Sequence, residues 1–374
     1  MFHPVKLAAV ILLLALAGCS TAPTARPTGE RPPDVDLTPP GQVVAPAPPP
    51  QAVHIPATNT APAPIPPPKP PVFTVPVGTW IHVGRWAEAN HLGPLTNLHS
   101  SVAPTYALPT PAGVLVMRTG SLLAQWAGLE LRLGYAPQLI GGEPFLHTLD
   151  LQKNLIPLLS AAAAPVPGPR VIVIDPGHGG TDSGTSSVLP GKFEKDYTLD
   201  WAKRLKVLLE AAGWTVFLTR TNDAEVSLPG RVEFAETHKA DLFLSLHFNA
   251  AAGSENAGIE TYSATPTGMP SSVTRGYEDN VTMTFPNNHF DALNLQLAAR
   301  LHREVLAATG GQDRGVRHAR FLTVLRGQNR PAVLIEGGYL SNPAEAKLIN
   351  TTEHRQKLAE AVAKALETKM ESGR

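Results

Sequence analysis

Val171-Ile172-Val173-Ile174-Asp175-Pro176-Gly177-His178-Gly179-Gly180 is the stretch on which the fold turns. Four successive β-branched residues make a run too short for a helix and suited to a strand buried on both faces. Asp-Pro-Gly ends it, and His178 follows on a glycine turn at the strand's carboxyl end, where open α/β sheets gather their ligands. Outward from this point the apolar runs Thr215 to Leu218, Leu242 to Leu246, Ile259 to Tyr262 and Ala332 to Ile335 read as further strands. Amphipathic helices alternate with them. Leu199, Ala202, Leu205, Leu209 and Ala212 recur at helical spacing before Gly213, and Asn294 to Ala308 repeats the pattern before Gly310-Gly311. Ser341-Asn342-Pro343-Ala344-Glu345 is a helix start, and a last helix runs from Thr352 to Lys369. The expectation is an α/β domain with a largely parallel sheet flanked by helices, spanning 171–374.

The rest of the 374-residue chain is organised differently. Lys6 and the apolar run Leu7 to Ala17 form the core of a secretory signal over residues 1–18, too short for a membrane span. It ends in Leu16-Ala17-Gly18-Cys19, which resembles the bacterial lipobox, so Cys19 is the expected lipidation site and the link to a membrane. Cys19 is also the sole cysteine, which excludes intrachain disulfides. By the sorting rule that this resemblance to Gram-negative lipoproteins implies, Ser20 rather than aspartate after it points to an outer membrane if the cell has one, with the chain facing the periplasm. Residues 19–71 hold 18 of the 38 prolines and few bulky apolar side chains, the composition of a disordered tether. In the polyproline II form, at about 3.1 Å per residue, it would reach about 100 Å or more.

Residues 72–160 read as a small, mostly β domain. Its segments are Thr79 to Val83, Gly113 to Arg118, Leu129 to Leu133, and a hairpin from Gln138 to Leu146 around Gly141-Gly142. A linker, 161–170, follows. With 31 basic against 31 acidic residues the chain has no net field to hold nucleic acid.

Chemistry concentrates where strands run out. His178 follows the first strand, His247 follows Leu242 to Leu246, and Glu336 follows Ala332 to Ile335. Glu194, at the start of the first amphipathic helix, can reach the same crevice from the side. Two imidazoles and a carboxylate suit zinc with a fourth position open, the arrangement of catalytic sites. Asp175 and Asn249 stand near the two histidines as partners for their second ring nitrogens. Glu336 directly behind an apolar run needs a partner or a function. Glu260 faces either the site or solvent, and Arg220 and Arg231 either brace loops or bind substrate carboxylates. Most of the other histidines among the thirteen have no such context.

The runs DPGHGGTDSGT (175–185), EKDYTLDWAKRL (194–205), LTRTND (218–223), SLHFNA (245–250) and PAVLIEGGYLSNPAE (331–345) together resemble the zinc-dependent N-acetylmuramoyl-L-alanine amidases of the type 3 family. The resemblance covers about half the chain. It implies a mainly parallel six-stranded sheet and one zinc ion per chain on His178, Glu194 and His247. It also implies Glu336 as the catalytic glutamate and peptidoglycan as substrate, cut between the lactyl group of N-acetylmuramic acid and L-alanine of the stem peptide. Two rivals stay open: a wall-binding lipoprotein that does not cut, and a zinc peptidase acting within the stem peptide. Some division-associated members carry an inhibitory helix where this chain has 264–290. That stretch, with Pro266, Gly268, Pro270, Gly276 and Pro286, lacks helical periodicity and reads as an irregular, substrate-contacting loop. Residues 72–160 resemble the stalk domains named after the N-terminal region of copper amine oxidases, which implies only a positioning or wall-association role.

Overall fold

The computed structural model describes residues 73, 78–99, 102–160 and 170–367. The signal segment, Cys19, the tether and residues 161–169 of the linker lie outside the described residues. Element order begins with β1 (Trp80–His82), α1 (Val83–Ala89), β2 (Thr96–His99), β3 (Thr105–Thr110), β4 (Gly113–Arg118), β5 (Leu123–Trp126), β6 (Leu129–Arg132), β7 (Gln138–Ile140) and β8 (Glu143–His147). Short helical turns α2 (Thr148–Asp150) and α3 (Ile156–Leu159) follow, joined by a π-turn at Leu151–Leu155. Then come β9 (Val171–Pro176), α4 (Glu194–Ala211), β10 (Thr215–Leu218), α5 (Leu228–Thr237), β11 (Leu242–Asn249) and β12 (Ile259–Ser263). After a 3-10 turn at Pro286–Phe290, α6 (Asp291–Thr309), β13 (Asp313–His318), α7 (Thr323–Arg326), β14 (Ala332–Tyr339), α8 (Pro343–Asn350) and α9 (Thr352–Glu367) complete the chain.

The sheet of the C-terminal half has the order β10-β9-β11-β14-β12-β13, six strands as expected. All neighbours run parallel except β12 against β14. Because successive side chains of a strand point to opposite faces, each strand feeds two cores. Ile172, Ile174, Leu244, Leu246, Val333 and Ile335 meet Trp201, Leu205 and Leu209 of α4 together with α6 and α9. Val173, Phe243, Ala332 and Leu334 meet Ala235 of α5 and Leu325 of α7. Helix ends follow local chemistry. Asn342 accepts from the backbone N–H groups of Ala344 and Glu345 with Pro343 just inside the helix, and α6 stops at Gly310 in the left-handed region, φ 66°.

The sheet continues past β13. Val316 pairs in parallel with Leu131 of β6, and β6, β5, β4, β3 and β2 extend it as an antiparallel meander to eleven strands. Asp313 holds the junction by accepting the Glu130 N–H at 2.7 Å. The residues expected as a small β domain therefore share hydrogen bonds with the sheet of the C-terminal half. The hairpin β7-β8 forms where expected, turning at Gly141-Gly142 with φ of 61° and 86°, and pairs with β1 in a three-stranded sheet of its own. From 264 to 285 the chain is irregular, without a helix.

Candidate active site and metal centre

Three parallel strands end side by side and present His178, His247 and Glu336 at one edge. β11 lies between β9 and β14, and its His247 is in register with Glu336. Beyond that pair the register slips, Asn249 facing Tyr339, so β14 carries one extra residue beside the site. Such a bulge bends the strand and re-aims its side chains. His178 adopts φ 63°, a rare conformation outside glycine, on the turn after β9. Glu194 enters from the first turn of α4 and is almost wholly buried.

Glu194 is the hub. Its Oε1 lies 2.8 Å from His247 Nδ1 and accepts the Phe248 N–H at 3.1 Å. Its Oε2 lies 3.1 Å from His178 Nε2 and accepts the Thr185 N–H at 2.9 Å. The three residues each offer a ligand atom, all within 4.8 Å of one another. Nitrogen and oxygen donors in this number fit zinc with a position left open. Burial opposes ionisation of Glu194, but the two histidines outweigh it and hold its carboxyl well below the usual range. His178 is affected in the opposite sense: burial works against its charged form, yet Glu194 and Asp182 push it up to about 9.

Two glycines make room for the cluster. A Cβ at Gly177 would lie 2.2 Å from His247 Cε1, and one at Gly184 would lie 2.6 Å from His178 Cδ2 and 2.7 Å from Glu194 Oε2. The second nitrogen of His178 is held by Asp182, Oδ2 2.8 Å from Nδ1. Sequence reasoning missed Asp182; an acid four residues after the histidine, in the same glycine turn, was the available signal.

Asp175 and Asn249 are not the histidines' partners. Asp175 takes Arg231 Nη1 at 2.6 Å, Thr219 Oγ1 at 2.6 Å and Ser245 Oγ at 2.8 Å. Its side chain is turned into the sheet toward these groups, so it locks the base of the site. Asn249 Nδ2 donates instead to Glu260 at 2.9 Å. Arg220 and Arg231 are braces: Arg220 donates to the carbonyls of Pro176, Gly177, Asn222 and Lys195, and Arg231 to those of Val226, Pro176 and His178. Their donors fix the backbone on which His178 sits. Glu260 is buried in a network rather than exposed to solvent.

Glu336 is also buried, and its Oε2 has no hydrogen-bond partner. Burial, then the charge of Glu194, push its carboxyl well above the usual range, against the pull of Arg275. It faces a cleft of about 650 Å³ that also exposes His178, Glu194 and His247. An unpaired carboxylate beside a candidate metal cluster, open to a cleft, is the arrangement of a proton-transfer group.

Fold and site define an α/β protein with a histidine-glutamate-histidine cleft at the strand ends. Residues 172–368 match the N-acetylmuramoyl-L-alanine amidase family of type 3, and the chain belongs to that family. It is 36% identical over 208 residues to a protein named probable cell wall amidase LytH of Staphylococcus epidermidis, covering 55% of this chain and 60% of that one. It is 34% identical over 198 residues to the N-acetylmuramoyl-L-alanine amidase LytC of Bacillus subtilis, covering 53% of this chain and 35% of the relative. The chain thus spans about 60% or less of the length of these two relatives. Among solved structures, the catalytic domain of CwlV, an N-acetylmuramoyl-L-alanine amidase from Bacillus (Paenibacillus) polymyxa var. colistinus, is similar at 30% identity. Its TM-score is 0.44, covering 53% of this chain and 96% of that one.

Proposed function

We propose that this chain hydrolyses the amide between the lactyl group of N-acetylmuramic acid and L-alanine in peptidoglycan. The observation that carries the reading is the meeting of His178, Glu194 and His247 in one cleft with Glu336, whose Oε2 is unpartnered, in a chain of this family. His178, Glu194 and His247 would hold one zinc ion. When bound, zinc supplies Lewis acidity, making water a better nucleophile near neutral pH and polarising the carbonyl. Asp182 orients His178, and the backbone N–H groups of Thr185 and Phe248 orient Glu194, so the ligand set is pre-arranged. Glu336 takes the proton of the attacking water at its free carboxylate oxygen and returns it to the departing amine of L-alanine. Without that second transfer the amine is a poor leaving group.

Anchoring through a lipid on Cys19, with the catalytic half in the periplasm below an outer membrane, is part of the proposal; Leu16-Ala17-Gly18-Cys19-Ser20 supports it. The test is mass spectrometry of purified peptidoglycan after digestion by the full chain with zinc. Free stem peptides that begin with L-alanine are the expected product. Peptides cut internally would replace the amidase reading by the peptidase one, and no release would leave a wall-binding lipoprotein.

A further inference from the structure

The lining of the cleft includes two arginines, Arg231 and Arg275. Arg231 is spent on Asp175 and on backbone carbonyls. Arg275 is not. Its guanidinium makes one long hydrogen bond, Nη2 to Asn249 Oδ1 at 3.3 Å, and lies 5.6 Å over the Phe321 ring. Among the described residues no carboxylate forms an ion pair with it, although Glu336, Glu194, Glu225 and Asp182 line the same cleft.

The backbone beneath Arg275 is unusual. Tyr277 N–H bonds to Thr274 O at 2.8 Å, and the two residues between them, Arg275 and Gly276, have φ of 46° and 80°. Two positive φ values inside a closed turn make the type I′ geometry, where glycine, asparagine and aspartate are the unstrained choices. Arginine holds the first position against that preference. The loop around it is braced: Asp279 accepts from Ser271 N–H and Oγ at 2.7 Å each, and Arg326 stacks on Tyr277 and Phe285. An exposed, strained residue on a braced loop, lining a cleft with donors left over, has the form of a recognition element.

We infer that Arg275 is an anion-binding element of the cleft and takes a carboxylate of the bound stem peptide, so that it sets which stem chemistry the protein prefers. The inference rests on the amidase reading. Along the stem the first such group after L-alanine is the α-carboxyl of a second-position glutamate, which is either free or amidated. A planar guanidinium binds the free form through paired, charge-assisted hydrogen bonds and has no equivalent match for the amide.

The test compares kcat/KM of the full zinc-loaded chain on two muropeptides that differ only in that carboxyl, free or amidated, for the parent, Arg275→Asn and Arg275→Lys. Asparagine suits the turn, so Arg275→Asn should keep or raise thermal stability. The parent should favour the free form by about tenfold or more, mainly through KM. Arg275→Asn should bring the ratio to about one; any effect through Glu336, on whose carboxyl Arg275 pulls, falls on both substrates alike and cancels in the ratio. Arg275→Lys should keep part of the preference. Calorimetric binding of the two corresponding dipeptides should follow the same order. A parent ratio of one, or a ratio that Arg275→Asn leaves unchanged, overturns the inference while leaving the amidase reading in place. Release of L-alanine-led peptide from neither substrate sinks that reading and the inference with it.

Discussion

Glu260 and Glu336 stand opposite one another on β12 and β14 and are both buried, yet their surroundings divide them. Glu260 accepts from Asn249, Tyr262, Arg314 and Tyr339 at 2.6 to 2.9 Å and lies 3.4 Å from Arg317. Burial alone would raise its carboxyl, but Arg317 and these hydrogen bonds outweigh it and hold it below the usual range. Glu336 has an oxygen without a partner and is pushed the other way. Two identical side chains, in register on neighbouring strands, are thus held differently, one tied to cations and the other with an oxygen left unpartnered. The difference lies in which of them has been given cations.

The strongest way to break that contrast is to neutralise each in turn. Glu336→Gln should lower turnover by roughly a hundred- to ten-thousand-fold, the usual worth of general acid-base catalysis, while zinc content stays at about one per chain. Glu260→Gln should cost rate less than about tenfold. Its effect belongs to stability, a loss of about 1 to 3 kcal/mol by urea denaturation, because Arg314 and Arg317 lose their counter-charge. Equal falls in turnover for the two variants, with both still folded, would show that the division of roles is wrong.

The ligand wall offers a graded second test. His247→Ala removes a donor and should strip the metal along with the activity, as elemental analysis and a muropeptide assay would show together. Asp182→Asn keeps every donor and disturbs only the hold on His178 Nδ1, so zinc affinity in chelator competition should fall by about 10- to 100-fold. If Asp182→Asn binds zinc like the parent, the orientation of His178 comes from the Arg231-braced backbone alone.

This wall also shows how far a sequence speaks for itself. His178, His247 and Glu336 were legible because each follows a short β-branched or apolar run, so strand recognition placed them at one edge. Glu194 was legible as the start of a periodic helix. Asp182 was missed, since its turn has no period and only its spacing of four from His178 pointed to it. The meander's link to the catalytic sheet was hidden for a related reason. β13 reads Asp-Arg-Gly-Val-Arg-His, and its one apolar side chain, Val316, gives no alternation to detect. Asn249 was misjudged as a histidine partner because nearness along the chain does not show which group takes a side chain's donor. It follows His247 by two residues, but its amide donates to Glu260 on β12.

A third buried carboxylate sharpens the comparison most finely, because it has donors but no cation. Asp150 accepts from the N–H groups of Gly134 and Tyr135 and from Asn154 Nδ2, at 2.8 to 2.9 Å. Burial still outweighs these neutral donors and raises its carboxyl to about 6. Asn154 Oδ1 in turn lies 3.2 Å from His318 Nε2, and burial lowers that ring to about 4. The two titrations oppose each other. Asp150 binds its proton more tightly folded than unfolded, so its contribution is present below about pH 4 and is lost as pH rises through 6. His318 binds its proton less tightly folded, so its contribution is present above about pH 6.5 and is lost as pH falls through 4. Between pH 4 and 6 the parent's slope from this pair is therefore small. Relative to the parent, Asp150→Asn should gain stability as pH rises from 4 to 7. His318→Gln should gain it as pH falls over the same range. Each change should amount to about 2 to 3 kcal/mol, read from urea midpoints at one-unit steps. If Asp150→Asn instead loses stability relative to the parent as pH rises, the opposition is absent, and neutral hydrogen bonds suffice to settle a buried carboxylate without the cations that Glu260 has.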